Sequence, residues 1–168
     1  MKTAKRLLAL AGVMTLALLT GCSDSRSKAK QVEECFRSLM KTRQNVDYQK
    51  DETLDKKLEA IAQQFQPDWL DNRTGGLTEH ARTIIINELR GYLLTGSVWL
   101  WYGEVKPGQS ALAQAESMKY SQGIEIALLD SGIPTLQAIA FTMTGKKSDG
   151  HRYYLALRTN ATIKTPQG

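Results

Sequence analysis

The chain has 168 residues, of which 42% are hydrophobic, and 22 Lys and Arg against 17 Asp and Glu give a formal net charge of +5. This length suits one domain that buries its own core, so neither a disulfide framework nor a structural metal is required. A small basic excess is weak evidence for nucleic-acid binding, which usually needs a clustered basic face, and no nucleic-acid partner is predicted.

The first residues have the order of an export signal. A basic head with Lys2, Lys5 and Arg6 precedes an apolar run from Leu7 to Leu19. As a helix, the segment from Leu7 to Gly21 would reach only about 22 Å, whereas a spanning helix needs about 20 apolar residues to cross about 30 Å of hydrocarbon. The segment is therefore too short to span and is typical of a signal peptide that is removed.

This segment closes on Leu19-Thr20-Gly21-Cys22, an order that resembles the lipobox of bacterial lipoproteins. The resemblance implies a diacylglycerol on the Cys22 thiol, cleavage between Gly21 and Cys22, and acylation of the new amino group. Two or three acyl chains on one residue would anchor the protein durably, because a single chain binds a membrane only marginally. The alternatives are an ordinary signal peptide with an incidental cysteine and a short membrane anchor.

The same resemblance has implications for location, charge and cysteine chemistry. Ser23 follows the cysteine instead of the aspartate that retains enteric lipoproteins in the inner membrane, which favours the periplasmic face of the outer membrane; Asp24 weakens this inference. Removal of residues 1–21 takes away Lys2, Lys5 and Arg6, so the formal net charge falls from +5 to +2. With Cys22 lipidated, Cys35 is the remaining cysteine and no intramolecular disulfide is predicted.

Residues 22–30 are interpreted as the lipidated cysteine and a short tether. The stretch from Ser23 to Lys30 is polar and small, and fully extended it would span at most about 28 Å. Its cations Arg26, Lys28 and Lys30 would either lie against anionic head groups, at about 1 kcal/mol each, or remain solvated.

Three helices are predicted after the tether, from Gln31, from Thr53 to Phe65, and from an N-cap at Thr78 to about Leu93. Pro67 ends the second of them. Cys35 lies in the apolar stripe of the first, which makes it a buried small hydrophobe and not a redox site. The predicted buried faces are Val32, Cys35, Phe36, Leu39 and Met40, then Leu54, Leu58, Ile61 and Phe65, then Ile85, Leu89, Tyr92 and Leu93.

After Gly96 the apolar period shifts to two, which predicts strands separated by turns. The segment 111–120 is ambiguous between a strand and a short helix. The predicted strands are 98–105, 123–130, 136–144 and 151–162.

Helices followed by a strand meander predict a single α+β domain over residues 31–162, with a C-terminal tail at 163–168. Two or three N-terminal helices would pack on one face of a curved antiparallel meander sheet of four to five strands. This order resembles the cone-shaped nuclear transport factor 2-like fold, in which an early helical pair packs inside a curved sheet, and the neighbouring cystatin-like layout. No sequence motif accompanies this architectural resemblance, so it implies little about function.

The sequence contains no pattern of a catalytic, metal or cofactor site. His80 and His151 are predicted to be exposed, and no serine lies in a nucleophile-elbow context. The pair Glu79-His80 has no second histidine four residues on, and Cys35 has no C-x-x-C companion. We therefore predict no enzyme, no metal and no cofactor.

The stretch Trp99-Leu100-Trp101-Tyr102 is the candidate functional feature. In a strand Trp99 and Trp101 share one face, so both faces are apolar and the strand is either covered on both sides or exposes an aromatic surface. The surface interpretation, with Phe141 added, predicts a non-enzymatic binding or assembly module for an envelope protein. The alternative is a small-molecule or lipid-binding cavity lined by the same residues, in a protein that could be a weak enzyme.

Overall fold

The structure is a computed structural model that describes residues 27–70, 74, 76–126 and 136–163. The signal peptide, Gly21, Cys22 and most of the tether lie outside the described residues, as do residues 127–130 of a predicted strand and residues 164–168 of the tail.

The helices begin at polar N-caps. Helix α1 spans Lys28–Gln44, α2 spans Glu52–Gln64, α3 spans Glu79–Leu89 and α4 spans Ala111–Glu116. Ser27, Asp51, Thr78 and Ser110 each accept a hydrogen bond from a backbone N–H in the first turn, which satisfies a donor that the helix itself cannot. A 3-10 turn, Pro67–Trp69, follows α2.

Two helix boundaries differ from the expectation. Helix α1 begins at Lys28, three residues before Gln31, because Ser27 supplies its cap. The prediction that α3 continues to Leu93 is wrong: the helix ends at Leu89, Gly91 turns the chain with a φ of 83°, and Leu93 begins a strand. The β-prone run at Ile84 to Ile86 is nevertheless helical, as predicted.

Within the described residues, five strands form one antiparallel sheet, which confirms the predicted α+β class. The strands are β1 Leu93–Glu104, β2 Lys119–Tyr120, β3 Ile124–Glu125, β4 Leu136–Met143 and β5 Tyr153–Ile163. Their order is β2-β1-β5-β4, with β3 also pairing with β1. The long central pair of β1 and β5 joins strands distant in sequence, so the sheet is not a simple meander.

The helices cover both faces of the sheet, whereas the sequence predicted one covered face. One buried cluster joins α2 and α3 to Leu100, Leu155 and neighbours on one face. The other joins α1 and α4 to Trp101, Ile139, Tyr154 and Ala156 on the opposite face. Successive residues of β5 from Tyr153 to Leu157 are therefore all buried, since alternate side chains enter different cores.

The connection between α1 and α2 covers the outer edge of β4. The backbone N–H of Gln49 donates to the Gln137 carbonyl at 3.0 Å, and the Ile139 N–H donates to the Gln49 carbonyl at 3.2 Å. Arg37 of α1 donates to the Ile139 carbonyl at 2.6 Å. These contacts satisfy an edge that could otherwise pair with another chain.

Candidate functional site: an aromatic and cationic sheet face

The four-residue stretch that the sequence singled out lies in β1, where one face is covered and the other is covered only around Trp101. Leu100 and Tyr102 pack in the cluster with α2 and α3. Trp99 and Trp101 lie on the opposite face, against the cluster with α1 and α4. The faces of β1 therefore follow the strand period, but the two tryptophans have different surroundings.

Trp101 belongs to the core. Its side chain is only 8% exposed, and its ring lies 5.4 Å from the Phe36 ring in an edge-on contact and 4.6 Å from the Tyr120 ring. This packing leaves no face for a partner. Tyr120, in contrast, is 62% exposed and covers the outer side of Trp101.

Phe141 lies at the margin of the same cluster. It is half-buried on β4, with its ring 5.9 Å from Phe36 and 5.7 Å from Tyr154. Its contacts to α1 explain the burial, and its position on the outermost strand explains the exposure that remains.

Trp99 is half-buried and carries a cation on its ring. The guanidinium carbon of Arg158 lies 3.9 Å from the ring centroid, in the cross-strand register that pairs Trp99 with Arg158. Cation–π contacts of this kind contribute roughly 0.5–2 kcal/mol, more where water is excluded. The backbone at Gly123 also approaches the ring, because a Cβ there would lie 3.0 Å from Trp99 Nε1.

Polar side chains surround this stack. Ser97 donates to the Glu125 carboxylate at 2.6 Å, and Gln137, Glu125 and Asn160 are exposed. Helix α1 packs on the half of the sheet face around Trp101 and Ile139, and among the described residues no helix packs on the half toward the start of β1. We call this surface the open half-face; it consists of Ser97, Trp99, Glu125, Gln137, Arg158 and Asn160.

A separate cleft lies on the other face, at the end of β1. Its volume is about 260 Å³, and more of its lining is polar than apolar. Burial raises the pKa of Tyr102, and burial together with a hydrogen bond to Asp149 raises that of Tyr153. The lining residues are Pro67, Tyr102, Gly103, Glu104, Lys106, Ser117, Lys119 and Tyr153, which does not include Trp99, Trp101 or Phe141.

Neither the cleft nor Arg158 was singled out from the sequence. The cleft gathers residues from segments far apart in the chain, and no local motif connects them. Arg158 could have been found only by knowing that β5 pairs with β1 in the register that places it opposite Trp99.

The two histidines are exposed, as predicted. His80 lies in the first turn of α3, and His151 Nδ1 is 3.1 Å from the Glu104 carboxylate at the end of the sheet. In the part of the chain that the structure describes, no three His, Cys, Asp or Glu side chains cluster as a metal site would require.

Comparison with protein families, curated proteins and solved structures finds no match for this chain. Among residues 27–70, 74, 76–126 and 136–163, no helix combines the length and apolar character needed to cross a membrane.

Proposed function

We propose that this protein is an exported lipoprotein, anchored through lipid on Cys22, whose domain binds an envelope protein without catalysing a reaction. The lipobox resemblance of Leu19-Thr20-Gly21-Cys22 supports the anchor, and Ser23 supports the periplasmic face of the outer membrane as its location. The Trp99–Arg158 stack on the open half-face is the observation that carries the binding role.

Trp and Arg are enriched among the residues that dominate protein interfaces. In the open half-face they occur together, with the Arg158 guanidinium held against a ring and so pre-organised before a partner arrives. An arginine in this position offers planar donors to a carboxylate. The exposed Gln137 and Asn160 add donors and acceptors at the rim. The surface suits a polar protein segment that carries an acidic side chain.

A cavity for lipids or small molecules, the alternative function, has less support. Ligand pockets usually occupy about 300–1,000 Å³ and are mainly apolar. The cleft at the end of β1 has about 260 Å³ and a polar lining, and the three predicted aromatic residues lie elsewhere. Trp101 is enclosed by ring contacts within its own core.

Site-specific photo-crosslinking in intact cells tests the binding role. A photoreactive residue at Gln137 or Asn160 is expected to give an adduct of one discrete mass, in which mass spectrometry identifies an envelope protein. The same residue at Gln63, exposed on α2, is the matched control and is expected to give none. Arg158→Glu should abolish the adduct, whereas Arg90→Glu, an exposed arginine at another site, should leave it unchanged. Equal labelling at Gln137 and Gln63, or an adduct indifferent to Arg158→Glu, would disprove the role of this surface.

A further inference from the structure

The start of α1 marks one end of the domain, where three other segments meet. Lys28 Nζ donates to the Gln109 carbonyl at 2.7 Å, which places the loop after β1 beside the first turn of α1. The Val105 N–H donates to the Arg152 carbonyl at 2.8 Å, so the turn between β4 and β5 lies at the same end. The end of α2 is there too, because Lys147 Nζ donates to the Ala62 and Gln63 carbonyls.

The chain enters the domain at this end from a very short tether. Since α1 begins at Lys28, Ser27 is only five residues after Cys22. Five residue steps span at most about 18 Å, whereas α1 alone extends about 25 Å from this end toward the other. A lipid on Cys22 would therefore hold the end with Lys28 near the membrane surface and leave the opposite end out of its reach.

This end also carries exposed cations, which we call the basic end: Lys28, Lys30, Lys106, Lys119, Lys146 and Arg152. Lys106 and Lys119 flank the cleft at the end of β1. The carboxylates in these segments are Asp68, Glu104, Glu116 and Asp149. Two of them have partners within the fold, because Glu104 lies 3.1 Å from His151 Nδ1 and Asp149 accepts from the Tyr153 hydroxyl at 2.5 Å. The cations exceed the carboxylates, and they lie on several separate segments.

We infer that the basic end docks on the anionic head groups of the membrane that holds Cys22. The inference rests on the lipidation proposed above and adds an orientation to it. The occupant is a lipid surface because the short tether holds this end at such a surface and because its charge is complementary to phosphate. Docking turns the open half-face, at the opposite end of the sheet, away from the lipid and toward a protein partner.

The test uses the purified lipidated protein in vesicles, with a donor fluorophore on one added cysteine and an acceptor on the lipid head groups. Gly145→Cys labels the basic end, where an added Cβ meets nothing within 4 Å. Gln44→Cys, exposed in the last turn of α1, labels the opposite end. Cys35 is buried and only 8% exposed, so it reacts slowly in the folded protein. Energy transfer is measured in zwitterionic vesicles and in vesicles with about one third phosphatidylglycerol.

In anionic vesicles we expect stronger transfer from the label at 145 than from the label at 44, and we expect 0.5 M salt to reduce the difference. The triple variant Lys28→Gln/Lys106→Gln/Lys119→Gln should reduce it as well. Each cation near an anionic surface favours the docked state roughly fivefold, so loss of three changes the docked population ratio on the order of 100-fold. The control Arg43→Gln/Lys56→Gln/Arg90→Gln removes the same charge from exposed positions near the opposite end and should have no effect.

The mass of the purified protein separates the two ways in which the inference can fail. An intact protein without acyl chains on Cys22 would overturn the anchor and the orientation together. A lipidated protein whose transfer at the two positions is equal, or is indifferent to anionic lipid and to the triple variant, would overturn the orientation alone.

Discussion

Trp99 and Trp101 are two residues apart on one strand face, yet one lies at a surface and the other in the core. The difference follows from their neighbours, because Phe36 of α1 packs against Trp101, whereas Arg158 of β5 stacks on Trp99. The strand period predicts that the two rings share a face, but it carries no information about which of them a helix covers.

Gly96 is required by a close approach between the central strands. It has a φ of 124°, and a Cβ there would lie 2.4 Å from the Asn160 carbonyl oxygen and 2.5 Å from Ala161 Cα. These are backbone atoms of β5, which cannot move aside without breaking the long β1–β5 pair.

We therefore expect Gly96→Ala to lower the free energy of unfolding by about 2–4 kcal/mol, from backbone strain and steric overlap combined. Urea denaturation measures this. Gly145→Ala is the matched control: its Cβ meets nothing and its φ is ordinary, so it should change stability by no more than about 1 kcal/mol. Equal effects of the two substitutions would show that the β1–β5 contact is not as close as described.

At the scale of elements, the edge of β4 is secured by a charged group of side chains on α1 and the following loop. Arg37 bonds both the Ile139 carbonyl and the Glu33 carboxylate, the latter at 2.8 Å, and Lys50 lies 3.0 Å from Glu33. Burial by itself would raise the pKa of Glu33, but the bonds from Arg37 and Lys50 outweigh it and the pKa is lowered. The carboxylate thus stabilises the folded state only while it is ionised.

Because the folded pKa of Glu33 lies below its unfolded value, its contribution is fully present above the unfolded pKa and is lost as the pH falls through the folded one. We expect Glu33→Gln to destabilise the protein at pH 7 by about 1–3 kcal/mol, and the difference from wild type to shrink toward pH 3. Denaturation at a series of pH values measures it. The variant is compared with wild type at each pH because burial raises the pKa of nearby Asp55. Asp55 therefore makes the stability of both proteins change with pH in the direction opposite to the effect of Glu33. A difference that stays constant from pH 7 to 3 would contradict this account.

The covered edge of β4 also shows why only part of the fold could be predicted from the sequence. The stripes of α1 and α2 were predicted from apolar spacing and are largely buried as expected. The crossing of the chain over β4, which puts α1 and α2 on opposite faces, depends on hydrogen bonds of Gln49 and Arg37 to a strand about 90 residues later. No local pattern encodes such a contact, so the one-face arrangement was the natural but inaccurate expectation.

At the scale of the whole molecule, the proposed lipid on Cys22 would set how the domain meets its surroundings. In the proposed orientation, the basic end would face the head groups and the open half-face would point outward.

We expect Cys22→Ser to leave an uncleaved, unlipidated precursor, because the serine hydroxyl does not accept the diacylglycerol that a thiol would. The mass of the intact variant protein, measured by mass spectrometry, shows directly whether it is cleaved and lipidated. Cys35→Ser, which changes the other cysteine, is the control and should be processed normally. Normal cleavage of the Cys22→Ser protein would show that the cysteine is incidental to an ordinary signal peptide.

The sequence by itself determined the α+β class, the Thr78 cap of α3 and the alternating faces of β1, because each depends on residues close together in the chain. It also placed Cys35 correctly in an apolar stripe, and that residue is buried. The export signal, which rests on the same kind of local pattern, stays a prediction. The tertiary structure decided which helix covers which face, that Trp101 is core while Trp99 stacks under Arg158, and that cations from separate segments lie at the end of the domain where α1 begins. Those features arise from strand register and chain crossings, which join residues that are far apart in sequence.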